Sequence, residues 1–127
     1  MLKKLTHVTL YTDDQEKTKN FYVDKLGMKV HTDADYDGMR WLTLHTDEQP
    51  DLELVLMPAY SPETQALVGK QSPGSPLFVF TTDDCKGEYE RLKGLGVEFT
   101  QEPTQQFWGL EAICKDPHGN LIDINQG

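Results

Sequence analysis

The stretch His7-Val8-Thr9-Leu10-Tyr11-Thr12-Asp13-Asp14 decides the fold, because a related stretch follows 70 residues later as Leu77-Phe78-Val79-Phe80-Thr81-Thr82-Asp83-Asp84. The same offset lays Leu52-Glu53-Leu54 on Ile122-Asp123-Ile124. A constant offset between matching stretches is typical of a duplicated structural unit. Equivalent residues then lie around a pseudo-twofold axis, so we expect His7 to face Leu77 and Glu53 to face Asp123.

Each repeat shows the same order of elements. From Leu5 to Tyr11 apolar and polar side chains alternate, which is typical of a half-buried strand, and Asp13 is expected to cap the following helix. The remaining predicted elements are strands at 29–32, 39–46, 52–57, 77–81, 97–100, 110–114 and 121–125, and a second helix from Asp83 or Asp84 to Gly96. The sequence therefore predicts an α+β fold in which two tandem β-α-β-β-β units, residues 1–57 and 77–127, form a curved mixed sheet around a cavity. Residues 58–76 are rich in Pro, Gly and Ser and are predicted to link the units.

Composition narrows the classes of partner. The chain has 127 residues, a formal net charge of -9 and a sequence pI of about 4.7, so nucleic acid and anionic membranes are not expected to bind it. No stretch is long and apolar enough to span a bilayer, and Lys3-Lys4 is not followed by the apolar run of a secretory signal. Cys85 and Cys114 form no metal-type pair, and we expect reduced thiols in a cytoplasmic protein.

Three polar side chains are predicted to project from the sheet face that lies away from the helices. They are His7, Glu53 and Asp123, whose strand neighbours are apolar and face the helices. One imidazole and two carboxylates suit a divalent first-row metal such as Mn, Fe, Co, Ni or Zn, with coordination positions left open for a substrate. The same groups can equally form a hydrogen-bonded network without metal, because a buried charge needs only a partner.

Aromatic and imidazole side chains are expected to line the same cavity. If strand 39–46 keeps its register, Trp41, Thr43 and His45 point into it. Trp41 could stack on a flat substrate or fill a packing contact, and His45 could supply a second nitrogen or lie at the surface. Trp108 precedes a strand, where it could wall the pocket or pack over the sheet edge. His31 is expected at the surface.

In these features the chain resembles the vicinal oxygen chelate superfamily, which includes glyoxalase I, the bleomycin-resistance proteins and the extradiol dioxygenases. The matching residues are His7-Val8-Thr9-Leu10, Phe21-Tyr22 with Leu26-Gly27, Leu52-Glu53-Leu54, and Asp116-Pro117-His118-Gly119-Asn120-Leu121-Ile122-Asp123. The resemblance covers nearly the whole chain and implies a homodimer that handles a small molecule. Metal ligands of glyoxalase-I-like members fall on His7, Glu53, Leu77 and Asp123. Leu77 cannot bind a metal, and Asp123 stands where such members usually carry Glu.

The resemblance implies three alternative functions. The first is a glyoxalase-like enzyme of lyase, isomerase or dioxygenase type, in which an altered metal site of His7, Glu53 and Asp123 holds adjacent oxygens of the substrate; Glu53 and Asp123 are then the catalytic residues. The second is a metal-free ligand-binding or drug-sequestering protein of the bleomycin-resistance type, whose pocket is lined by Trp41, His45, Leu77 and Trp108. The third is a non-catalytic interaction module.

Overall fold

The computed structural model describes residues 1–127 and contains two units, Met1–Val68 and Gly69–Gly127. The first unit contains β1 (His7–Thr12), α1 (Gln15–Asn20), β2 (Lys29–Tyr36), β3 (Met39–Thr46), β4 (Gln49–Pro58) and the short α2 (Pro62–Gln65). A π-helical turn, Phe21–Lys25, extends α1. The strands form one sheet in the order β1-β4-β3-β2, in which β1 runs parallel to β4 and the other pairs are antiparallel.

The second unit contains β5 (Pro76–Thr81), α3 (Cys85–Gly94), β6 (Phe99–Gln106), β7 (Gly109–Lys115) and β8 (Leu121–Gln126). Its sheet has the order β5-β8-β7-β6, with β5 parallel to β8 and the other pairs antiparallel. Both units therefore follow the order β-α-β-β-β, and the predicted α+β class with tandem units is confirmed.

Each main helix begins at an aspartate on the turn after the first strand of its unit. Asp14 caps α1 by accepting a hydrogen bond from the Lys17 N–H at 3.0 Å, so the prediction of Asp13 as the cap was wrong by one residue. The Thr12 hydroxyl oxygen accepts a hydrogen bond from the Asp14 N–H at 2.9 Å. Asp84 caps α3 in the same way.

The edge strands differ most from the sequence prediction. β2 continues to Tyr36, four residues past its predicted end, and β6 covers Phe99–Gln106, whereas 97–100 was predicted. Both strands lie at an edge of their sheet, and their backbones are held by hydrogen bonds to β3 and β7. Because most of their side chains are exposed or half-buried, they lack the clear apolar alternation that marks an internal strand.

The core of each unit lies where the helix packs on the sheet. Fully buried apolar side chains of the first unit come from β1, the π-helical turn, β3 and β4, and include Leu10, Tyr22, Leu42, Leu44 and Leu56. Those of the second unit include Cys85, Leu92, Ala112, Cys114 and Ile122. Both cysteines are free thiols. The face of each sheet that lies away from the helix carries the polar residues of the candidate sites.

The three helices of the chain are all too short or too polar to cross a lipid bilayer.

Candidate functional site

In the first unit, three side chains contact the carboxylate of Glu53. The Thr43 hydroxyl donates to Oε1 at 2.8 Å, and Nδ1 of His31 lies 3.1 Å from the same oxygen. Nε2 of His7 lies 3.1 Å from Oε2. The Glu53 side chain is only 15% exposed, so both of its oxygens are engaged by its own unit in a largely buried place. This group of four residues is called the Glu53 cluster.

Strand pairing explains why two members of the Glu53 cluster meet. His7 and Glu53 occupy paired positions on the parallel strands β1 and β4, so their side chains lie on the same face. Thr43 pairs with Val55, two residues after Glu53, and therefore also points to this face. The predicted placement of these side chains on the helix-free face agrees with this register.

His31 joins the cluster through an irregularity in β2. The pairing between β2 and β3 shifts between Val30 and Thr32, which leaves His31 as an extra residue. An extra residue of this kind turns its side chain away from simple alternation, and such bulges often re-aim a side chain beside a functional site. His31 remains 40% exposed but contacts Glu53, so the expectation that it is only a surface residue was incomplete. Alternation of residue types gives no signal for such a bulge.

Aromatic rings surround the Glu53 cluster. The rings of His7 and Trp41 are 6.4 Å apart and tilted by 47°, and those of His31 and His45 meet edge to face at 5.7 Å. Nδ1 of His45 lies 2.8 Å from the Thr46 carbonyl oxygen. A carbonyl only accepts, so Nδ1 of His45 is the donor in this contact. Trp41 and His45 thus lie on the face where the sequence predicted them.

The donor set around Glu53 does not converge on one point where an ion could bind. His7 and His31 approach Glu53 from its two oxygens, and no three His, Cys, Asp or Glu side chains in residues 1–127 are grouped to hold a metal. Asp123, the third predicted ligand, belongs to the second unit. The metal-binding role of His7, Glu53 and Asp123 therefore stays a prediction.

In the second unit, Asp123 lies beside a second carboxyl group that the sequence analysis missed. Glu111 on β7 accepts hydrogen bonds from the Trp108 indole N–H at 2.9 Å and from the Gln101 amide at 3.0 Å. Burial, together with the neighbouring Glu111, raises the pKa of Asp123 to about 7. The hydrogen bond from Asp123 in turn lowers the pKa of Glu111. The opposite directions of the two pKa shifts reflect a hydrogen bond between the two carboxyl groups. An acidic residue in the apolar strand segment Leu110-Glu111-Ala112 is the signal that could have revealed this pair.

The second unit pairs its outer strands in a different register from the first. Val79, not Leu77, pairs with Asp123, and the pairing shifts between Pro76 and Phe78, where Leu77 lies half-buried. At the offset of 70, Leu77 is the equivalent of His7. Glu53 pairs with His7, but Asp123 pairs with Val79, two residues after Leu77, so the expected equivalence of Glu53 with Asp123 is not kept. Trp108 lies in the predicted loop between β6 and β7 and is 46% exposed.

Comparisons with known proteins agree on the fold and on the kind of protein. The family model described as Glyoxalase/Bleomycin resistance protein/Dioxygenase superfamily matches residues 4–124. The uncharacterised protein YurT of Bacillus subtilis (strain 168) is 37% identical over 125 residues, which are 97% of this chain and 98% of YurT.

Two solved structures are similar over almost the full chain. The crystal structure of UcmS2 has a TM-score of 0.88 and 35% identity, and the match covers 100% of both chains. TnmS3, an antibiotic binding protein from Streptomyces sp. CB03234, has a TM-score of 0.80 and 31% identity, with 98% of this chain and 96% of TnmS3 covered.

Proposed function

Because this chain belongs to the Glyoxalase/Bleomycin resistance protein/Dioxygenase superfamily, we propose, on that premise, that it binds a flat aromatic small molecule and releases it unchanged. The observation that carries this proposal is the state of Glu53, whose two oxygens are held by Thr43, His31 and His7. A carboxylate whose two oxygens contact side chains of its own unit orients the imidazoles and the hydroxyl that form a binding surface.

The surroundings of the Glu53 cluster supply what an aromatic ligand needs. The Trp41 indole lies beside the His7 ring, and both are partly exposed on the helix-free face of the sheet. An indole offers a large flat surface for stacking, and the nearby imidazoles offer polar contacts that fix orientation. The likeness to an antibiotic binding protein at 31% identity supports the same class of ligand.

Binding and recovery of the ligand test the proposal together. Purified protein is titrated with a panel of aromatic antibiotics (anthracyclines, tetracyclines and quinolones), and binding is followed by calorimetry and by quenching of tryptophan fluorescence. We expect at least one member to bind with micromolar or better affinity and to be recovered chemically intact, as shown by mass spectrometry after prolonged incubation. Turnover of a bound compound would contradict the proposal. Light scattering on the same sample tests the homodimer implied by the family, whose mass would be twice 14.5 kDa.

A metal-dependent enzyme is the second candidate, and one observation favours it. Nε2 of His7 and Nδ1 of His31 each lie 3.1 Å from one oxygen of Glu53, and imidazole and carboxylate are ligand types that divalent first-row metals accept. Metal analysis of protein purified without chelator, beside the His7→Ala variant, distinguishes this candidate. Near-stoichiometric metal in the parent protein that is lost in the variant would favour it over simple binding.

A further inference from the structure

The second unit contains two buried oxygen acceptors that no donor reaches. Oδ1 of Asp123 and Oδ1 of Asn125 are both buried and have no hydrogen-bond partner, and Asp123 as a whole is only 5% exposed. Buried acceptors in folded proteins are nearly always paired. These two acceptors lie two residues apart on one strand and have no donor. They therefore indicate a site at which a ligand supplies the hydrogen-bond donors.

Both oxygens lie on one face of the sheet. Asp123 and Asn125 are alternate residues of β8, and Glu111 of β7 pairs directly with Asn125. Alternate and directly paired residues project to the same side, so the three side chains form one patch about 7 Å long. This patch, together with Trp108, is called the acceptor patch.

The acceptor patch has more acceptors than donors. The groups that reach Glu111 from other strands and loops are the neutral amide of Gln101 and the neutral indole of Trp108. Several basic side chains of the unit have acceptors elsewhere: Lys115 with Glu98, Arg91 with Glu88, and Lys93 with Tyr89. Two adjacent carboxyl groups and an amide oxygen are best complemented by a group that carries both positive charge and N–H donors.

Trp108 supplies an aromatic surface beside these acceptors. Its indole N–H donates to Glu111 at 2.9 Å, and the rings of Trp108 and Phe107 meet edge to face at a centroid distance of 4.5 Å. The indole is therefore held in orientation while nearly half of the residue stays exposed. A cation or a cationic aromatic ring placed over an indole is attracted to its face.

We propose that the acceptor patch, formed by Trp108, Glu111, Asp123 and Asn125, binds a protonated nitrogen group of an aromatic ligand. Its N–H groups donate to Oδ1 of Asp123 and Oδ1 of Asn125, and its ring stacks on Trp108. This inference rests on the proposed function, because it takes the chain to bind aromatic small molecules and adds that the second unit by itself binds those that carry an aminoaryl or amidinium cation.

Three related dyes test the charge and the donors separately. The aminoacridinium cation carries charge and N–H groups, N-methylacridinium carries charge without N–H groups, and acridine is neutral at about pH 8. Binding of each is measured by calorimetry and by dye fluorescence. We expect aminoacridinium to bind about tenfold more tightly than acridine and several-fold more tightly than N-methylacridinium, because only aminoacridinium satisfies the two orphan oxygens.

A pair of charge-matched variants locates the effect. At about pH 8, above the pKa of about 7 for Asp123, Asp123→Asn removes the negative charge of this residue but keeps an acceptor oxygen. Glu102→Gln makes the same change at an exposed position on β6 of the same unit. We expect Asp123→Asn to reduce the preference for aminoacridinium over acridine about tenfold and to leave the affinity for acridine within about twofold. Glu102→Gln should leave the preference unchanged. If Asp123→Asn does not fold, as judged by thermal melting, Glu111→Gln carries the same expectation.

The outcomes separate this inference from the proposed function. Equal affinity for all three dyes, or an equal loss of preference in Asp123→Asn and Glu102→Gln, would overturn the acceptor patch as a cation subsite while leaving the aromatic site in place. Binding of none of the dyes would overturn both. Stoichiometric Mn²⁺ uptake that Asp123→Asn abolishes would assign the orphan oxygen to a metal and would also overturn the inference.

Discussion

Nε2 of His7 lies 3.1 Å from Oε2 of Glu53, across paired positions of the parallel strands β1 and β4. The same carboxylate accepts from the hydroxyl of Thr43, a residue that is fully buried. Removing the carboxylate would therefore leave a buried hydroxyl and an imidazole without their acceptor. The Glu53 cluster should contribute to the free energy of unfolding as well as to the binding surface.

We expect Glu53→Ala to lower the free energy of unfolding by about 2 kcal/mol, since an unpaired buried polar group costs about 1–3 kcal/mol. Glu53→Gln should cost less, because the amide oxygen still accepts from Thr43. Urea unfolding followed by circular dichroism measures both. Glu48→Ala, at an exposed position just before the same strand, is the control and should change stability by less than about 0.5 kcal/mol. Equal losses in the Glu53 and Glu48 variants would show that the cluster contributes nothing.

Trp41 is expected to provide the stacking surface for an aromatic ligand bound beside the Glu53 cluster. Trp41→Ala should weaken binding of whichever aromatic compound the screen identifies by about tenfold or more, because stacking and burial of an indole contribute well over 1 kcal/mol. The matched control is Tyr60→Ala, since Tyr60 is an aromatic residue of the same unit that is 73% exposed and lies after β4. A Trp41→Ala protein that binds as tightly as the parent would place the ligand elsewhere.

The Asp123–Glu111 pair makes stability depend on pH. The pKa of Asp123 is raised from 3.8 to about 7 in the folded chain, so the unfolded chain ionises this group first as pH rises. Stability from this group is thus full below about pH 4 and is lost as pH rises to about 7. The pKa of Glu111 is lowered, so its effect on stability has the opposite sign. Its contribution to the free energy of unfolding is present above its usual pKa and is lost as pH falls.

Asp123→Asn separates the two effects, because it removes the titration of Asp123 while its amide N–H can still donate to the Glu111 carboxylate. Between about pH 5 and pH 8 the parent should lose on the order of 2 kcal/mol of unfolding free energy relative to this variant. Urea unfolding at several pH values measures the difference. The exposed neighbour of the α3 cap, in Asp83→Asn, is the control and should follow the parent. Parallel pH profiles for parent and Asp123→Asn would show that Asp123 is not held in its protonated form.

Sequence patterns determined the elements but not every register. The alternation in Leu52-Glu53-Leu54 and Ile122-Asp123-Ile124 correctly placed the acidic residues on the sheet face opposite the buried Leu54, Ile122 and Ile124. In the second unit, however, β8 is displaced by two residues relative to β5, so that Val79 pairs with Asp123. A shift of two residues keeps every side chain on its own face, because the period of a strand is two. Neither alternation nor a constant sequence offset can therefore reveal it.

The candidate sites were partly predictable for a related reason. His7, Trp41 and Glu53 lie on regular strands, where alternation predicts the face. His31 reaches Glu53 only through the bulge in β2, which depends on the pairing with β3 and leaves no trace in the residue pattern. Glu111 was missed although it lies within the predicted strand 110–114, because the pairing that brings it beside Asp123 is a property of the folded sheet.

Removal of metal distinguishes the two candidate functions most directly. If Glu53 is satisfied by Thr43, His31 and His7, a ligand bound on this face needs no ion to hold it. We therefore expect dialysis against a chelator to leave the affinity for the aromatic ligand within about twofold, and added Mn²⁺, Ni²⁺, Fe²⁺ or Zn²⁺ to leave it unchanged. Calorimetry before and after dialysis, with metal content measured on the same samples, makes the comparison. A loss of affinity of tenfold or more that a single metal restores would favour the metal-dependent enzyme, because only an ion bridging ligand and protein would couple the two equilibria.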